Sequence, residues 1–159
     1  MRMGRIMGAA ALLVVVSAGT AAAQGSSHTV NYTVNSINTV TVTGTPSLTI
    51  TTTTAAVTDS ASTYAVETNA PATSPKRIMA ALDNPMEAGL TLQVELDAPS
   101  TVGTSAGVVT LSTTETEVVG DLSQVAESGL KIRYTLTATP AAAAGSNSKV
   151  VTYTIVDEI

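Results

Sequence analysis

Few residues of this 159-residue chain could carry out covalent chemistry. It has no cysteine and a single histidine, His28, which excludes thiolate nucleophiles and the His/Cys ligand sets of zinc sites. His28 lies beside a short polar stretch, where a Ser-His-Asp device would lack the packed frame that it needs. The many serine and threonine hydroxyls therefore have no base to activate them. We predict that the chain is not an enzyme and holds no cofactor.

Carboxylates are the remaining candidates for a site. Glu95 and Asp97 share the outward face of a predicted strand, while Asp83, Glu87 and Asp121 lie in predicted loops, where their oxygens could gather around calcium. The dense ligand spacing of calcium loops is absent, so solvated surface acids are the favoured interpretation. Two carboxylates cleaving a carbohydrate would lack the usual stacking platform, because the chain has no tryptophan or phenylalanine, although a tyrosine could replace it.

The charge balance excludes two classes of partner. The chain has 12 acidic and 7 basic residues and a formal net charge of −5. Binding to nucleic acid or to anionic lipid requires clustered lysine and arginine. After the amino-terminal leader the basic residues are scattered, at Lys76, Arg77, Lys131, Arg133 and Lys149. We predict no nucleic-acid partner.

The first 23 residues have the pattern of a secretory signal peptide. Two arginines precede an apolar run over residues 6–18, and three alanines before Gln24 form a small-residue cleavage site. The apolar run is shorter than the roughly 20 residues that span a bilayer, and an uncleaved anchor is the alternative. We predict secretion to the periplasm, the cell surface or the medium, no membrane insertion after signal cleavage, and a single domain over residues 24–159.

The carboxyl-terminal stretch gives the clearest sign of β-structure. Residues 130–137 alternate apolar with charged or threonine side chains, as in a strand with one buried face. Residues 151–155 repeat the pattern, with Val151, Tyr153 and Ile155 on one face. We predict that the two runs pair as a terminal hairpin.

The rest of the chain consists of short alternating runs separated by Gly, Pro, Asn and Asp turns. Residues 90–96 alternate most cleanly and are the candidate for a central strand, while residues 121–128 are the one place for a helical turn. We therefore predict an all-β, immunoglobulin-like antiparallel sandwich of about seven to nine strands. The further predicted strands are a run ending at Val42 and residues 48–50, 63–68, 76–82, 108–111 and 118–119.

The predicted first strand resembles the last. Residues 28–34 place Val30, Tyr32 and Val34 on one face, and their Val-Asn-Tyr-Thr-Val pattern echoes the Val-Thr-Tyr-Thr-Ile of residues 151–155. A short coincidence of β-composition is one explanation. The other is that the two strands are interchangeable, so that residues 28–34 could leave their own sheet and complete that of a neighbour.

The chain resembles small exported bacterial β-sandwich proteins that are rich in threonine. The resemblance rests on the leader, the threonine-rich strands, the segment LDNPMEAGLTL at residues 82–92 and the final VTYTI strand. It is also distantly similar to immunoglobulin-like fimbrial or pilus subunits, a likeness that implies surface fibres built by strand donation. Unlike the chaperone–usher pilins of that group, it has no cysteine pair, and its last strand is complete.

Two functions are consistent with these patterns. The first is a non-enzymatic structural or adhesive surface protein that forms a homo-oligomer or fibre by β-strand addition through residues 28–34. The alternative is a monomeric periplasmic or secreted binding module for a divalent cation or a carbohydrate. The cation hypothesis takes its ligands from Asp83, Glu87, Asp97 and Asp121, with Glu95 nearby.

Overall fold

The computed structural model describes residues 24–159, so the predicted signal peptide lies outside the described residues. Residues 24–33 contain no strand and no helix. Residues 34–159 contain strands and no helix, which confirms the predicted all-β class. Over residues 24–159, no helix is long and apolar enough to cross a membrane. The ten strands are β1 (Asn38–Thr43), β2 (Ala56–Asp59), β3 (Thr63–Thr68), β4 (Lys76–Leu82), β5 (Leu90–Leu96), β6 (Thr104–Ser105), β7 (Val109–Thr110), β8 (Thr116–Leu122), β9 (Val125–Ala138) and β10 (Val151–Asp157).

Six of the strands form sheet 1, in which they run in the order β1-β3-β9-β5-β7 and β2 also pairs with β9. β2 and β3 follow one another along the same side of the long strand β9, since Asp59 is opposite Tyr134 and Thr63 is opposite Lys131. The short break between them is bridged by the N–H of Ile132, which donates to the carbonyl of Ser62 at 3.0 Å. Sheet 1 is therefore five strand positions wide.

The remaining four strands form sheet 2, in the order β10-β4-β8-β6. All of the pairings in both sheets are antiparallel. β10 pairs with β4 over seven residues without a register shift, whereas the pairing of β4 with β8 contains two shifts. One end of sheet 2 is thus a long regular strand, and the other end is the two-residue strand β6.

One aliphatic core lies between the sheets. It draws on both of them because every second side chain of the longer strands points inward. Fully burying such a side chain contributes about 1.5–3 kcal/mol, and two tyrosines take the place of the absent phenylalanine and tryptophan. The most deeply buried core side chains are Tyr64, Val66, Ile78, Ala80, Val94, Leu96, Val118, Val119, Leu122 and Ile132.

The alternation correctly predicts β3, β4 and β5 at residues 63–68, 76–82 and 90–96. It also correctly predicts that residues 90–96 form an inner strand, because β5 lies between β9 and β7. The structure has ten strands against the seven to nine predicted, and two of the ten contain only two residues.

The predicted terminal hairpin is wrong. β9 belongs to sheet 1 and β10 to sheet 2, where it pairs with β4. Alternation fixes which face of a strand is buried, and it carries no information on the neighbouring strand. The connection over residues 139–150 is long enough to cross from one sheet to the other, whereas a tight hairpin needs only two to five residues.

Two local predictions are also wrong. Residues 121–128 contain no helical turn: residues 121–122 end β8, residues 125–128 begin β9, and Asp121 and Gln124 have positive φ values of 58° and 45°. Residues 48–50 form no strand, and Leu48 packs against the core from a loop. The strand in this region is Ala56–Asp59, in a stretch of threonine and alanine that has little apolar surface to bury.

Candidate strand-pairing surface and cleft

The amino-terminal segment with the predicted exchangeable strand exposes its apolar side chains. Val30, Tyr32 and Val34 are 69%, 88% and 74% exposed. They alternate with polar residues, yet residues 28–34 form no strand in this chain. His28 is exposed in the same segment. The strand predicted for these residues is therefore not formed within the chain, and the apolar face of the segment is uncovered.

β10 carries the other three residues of the exchange hypothesis. Val151, Tyr153 and Ile155 point inward and pack against the core, but each is only half-buried. Their strand forms because β-branched and aromatic residues alternate with threonine over a pleated surface. The far end of β10 is tied to β4 by an ion pair between Lys76 and Asp157.

The first residues of β10 are held by the turn that follows β4. The N–H of Asp83 donates to the carbonyl of Val150 at 3.0 Å, and the N–H of Val150 donates to a carboxylate oxygen of Asp83 at 3.0 Å. This second bond is the main reason why the pKa of Asp83 is lower than usual. Beside it, Lys149 contacts Glu87 at 2.9 Å and lowers the pKa of that carboxyl through a hydrogen bond.

A cleft of about 1070 Å³ opens beside these strands. Its walls are the loops at residues 44–53 and 139–150, and its edges include Val42 at the end of β1 and Val151 and Tyr153 of β10. The floor contains apolar side chains of β5 and β9. The cleft is thus apolar at its base and rich in hydroxyl groups at its rim.

Two buried polar atoms in the lining of the cleft have no hydrogen-bond partner among the described residues. They are Oγ of Ser62 and Oε2 of Glu87. Ser62 is 1% exposed and lies under Gly44, whose φ of 115° and close approach leave no room for a side chain. A Cβ at Gly44 would come within 2.9 Å of the Cα of Ser62, so the turn at this wall of the cleft requires glycine.

The structure does not bring the candidate calcium ligands together. Asp83 and Glu87 engage Val150 and Lys149, as described above. Asp97 accepts a hydrogen bond from Arg133 at 2.7 Å, and Glu95 lies 3.6 Å from the same guanidinium. Asp121 accepts a hydrogen bond from Thr104. Over residues 24–159, no group of three or more His, Cys, Asp or Glu side chains could hold a metal ion.

β10 is an end strand of sheet 2 and pairs only with β4. This open edge was not predicted, although the sequence carries a signal for it. Residues 150–156 contain no lysine, arginine or proline, which are the residues that usually protect an edge strand. The cleft had no such signal, because its walls are loops that are distant from each other in sequence.

Comparison with protein families, with characterised proteins and with solved structures finds no match for this chain. Function is therefore inferred from its geometry.

Proposed function

We propose that this chain is an exported, non-enzymatic structural subunit that assembles with copies of itself by β-strand addition, with residues 28–34 as the added strand. The carrying observation is that Val30, Tyr32 and Val34 alternate like a strand and are exposed in the isolated chain. Adding a strand to another sheet would bury one face of the segment and satisfy its backbone hydrogen bonds. The distant resemblance of the sequence to fimbrial subunits implies the same kind of assembly, although the chain lacks the cysteine pair of the chaperone–usher pilins.

The test is the native mass of the purified protein, measured by size exclusion with light scattering and by negative-stain imaging. A ladder of oligomers or filaments is expected. Tyr32→Asp should abolish them, because it places a charge on the face to be buried. Thr33→Asp is the matched control, since it adds the same charge on the opposite face and should leave assembly intact. An unchanged oligomer after deletion of residues 24–35 would disprove the proposal, as would a parent protein that stays monomeric when concentrated.

A second candidate function, a monomeric binding module, is favoured by the cleft. Its apolar floor and hydroxyl-rich rim suit a neutral carbohydrate better than an ion. A monomer whose unfolding midpoint rises with neutral oligosaccharides would support it. A monomer whose midpoint responds to none of them would argue against this function.

A further inference from the structure

β1 and β10 are the end strands of the two sheets on one side of the fold. Sheet 1 has five strand positions and sheet 2 has four. β1 and β10 end their respective sheets on this side and contact each other. β10 therefore pairs with β4 along one edge, and no strand of sheet 2 lies along its other edge.

The open edge of β10 has free backbone groups. Val150 and Glu158 flank β10. The carbonyl of Val150 accepts a hydrogen bond from the N–H of Asp83, and the N–H of Glu158 donates to the carbonyl of Pro75, both on the side of β4. Because successive residues of a strand point their backbone groups to alternate sides, the even-numbered residues of β10 point their N–H and C=O groups towards β4. The odd-numbered residues from Val151 to Asp157 therefore point theirs away from the sheet. Among the described residues, none of these outward groups has a backbone partner.

This edge also lacks the features that usually block strand addition. Natural edges are kept short, bulged, or marked by lysine and proline. β6 and β7, the edges on the other side of the two sheets, are only two residues long. β10 is seven residues long, pairs with β4 without a bulge and contains no basic residue or proline.

An added strand at this edge would also cover apolar surface. Val151, Tyr153 and Ile155 are half-buried on the inward face, and Val40 of β1 packs on the core from the opposing sheet. The cleft adjoins the same edge, since β10 lines it. β1 is a weaker acceptor, because its inward residues include Asn38 and only three of its residues, 38, 40 and 42, present free backbone groups.

We propose that the free edge of β10 accepts residues 28–34 of a second copy of this chain, which become the fifth strand of sheet 2. The inference rests on the proposed function and adds the acceptor to it. The donor segment and β10 are both seven residues long. When their centres are aligned, Asn31 lies opposite Thr154, and the apolar residues of both strands face the core whether the strands are parallel or antiparallel.

The experiment uses disulfide trapping, which is specific here because the chain has no cysteine. Asn31→Cys protein is mixed with Thr154→Cys protein under mild oxidation. Directly opposed residues have Cβ atoms about 4.5–5.5 Å apart, which is close to disulfide geometry. In the control, Asn31→Cys protein is mixed with Thr41→Cys protein, whose cysteine lies on β1. We expect the β10 pair to cross-link roughly tenfold faster than the β1 pair, because strand pairing raises the effective concentration.

The outcomes separate this inference from the proposed function. Cross-linking to Thr41→Cys instead, or to neither site in a protein that is oligomeric by light scattering, would overturn the β10 assignment and leave self-assembly standing. A monomeric disulfide in the Asn31→Cys/Thr154→Cys double variant would show that the segment pairs within its own chain, which overturns the acceptor role of a second copy. A parent protein that is monomeric would overturn both proposals. Unfolding midpoints that match the parent establish that the single-cysteine variants are folded.

Discussion

The hydroxyl groups of Tyr134 and Tyr153 lie 2.8 Å apart and join the two sheets through the core. Tyr134 belongs to β9 in sheet 1 and Tyr153 to β10 in sheet 2. Burial raises the pKa of both phenols, and for Tyr153 the neighbouring Tyr134 raises it further. The hydrogen bond therefore anchors the edge strand that we propose as the acceptor.

Removing either hydroxyl should destabilise the fold. Tyr153→Phe leaves the hydroxyl of Tyr134 buried without its partner, at a cost of about 1–3 kcal/mol. Tyr134→Phe should behave alike. The double Phe variant should lose less stability than the sum of the two single losses, because removing both hydroxyls leaves no buried polar group without a partner. Urea unfolding of the four proteins measures the coupling, and strictly additive losses would show that the bond contributes nothing.

Stability should fall steeply in alkali. The pKa values of Tyr64, Tyr134 and Tyr153 are raised from 10.0, mainly by burial. The unfolded chain therefore loses these protons near pH 10 while the folded chain keeps them, so the free energy of unfolding decreases as the pH rises above 10. Unfolding should coincide with the appearance of tyrosinate absorbance. Ionisation of these buried tyrosines in a chain that remains folded would contradict this.

Acid should weaken the start of β10. The hydrogen bond from the N–H of Val150 lowers the pKa of Asp83 below the usual 3.8. The bond therefore stabilises the fold fully above that pH, and this stabilisation disappears as the pH falls through the folded-state pKa. Asp83→Ala should be less stable than the parent at neutral pH, and the difference should shrink in acid. A difference in unfolding midpoint that stays constant from neutral to acid pH would argue against a role for the charged form.

Gly89 should tolerate alanine far less well than Gly107. Both have a positive φ, 78° and 72°, so both substitutions should cost about 1–2 kcal/mol of backbone strain. At Gly89 the new Cβ would also come within 2.4 Å of the backbone nitrogen of Ala142, whereas Gly107 faces open space. The difference between the two variants in urea unfolding thus isolates the contact with the 139–150 loop. Equal losses would mean that this loop moves aside freely.

Residues 76–82 and 151–155 illustrate how much of this fold could be predicted from the sequence. Their alternation correctly predicts two strands and their buried faces, because side-chain burial is a local property of a pleated strand. It could not predict that they pair with each other, since partner choice depends on packing across the whole sandwich. Residues 28–34 show the same limit. Their pattern predicts a strand, and a strand forms only where another strand's edge is available.

Only one of two buried hydroxyls should be needed for stability. Ser62 is 1% exposed and its Oγ has no partner among the described residues, so Ser62→Ala removes a desolvated polar atom and should be neutral or stabilising. Thr68 is 3% exposed, donates to Asn38 at 2.7 Å and accepts from the N–H of Ala70 at 3.1 Å.

Thr68→Val should therefore cost about 1–3 kcal/mol, because both of its partners would be left unsatisfied. The two substitutions remove one hydroxyl just before β3 and one at the end of β3, so the difference between their effects reports whether the hydroxyl is paired. Urea unfolding of the two variants beside the parent gives the comparison. A loss for Ser62→Ala as large as that for Thr68→Val would mean that a molecule in the cleft, such as an ordered water, bonds to the Ser62 hydroxyl.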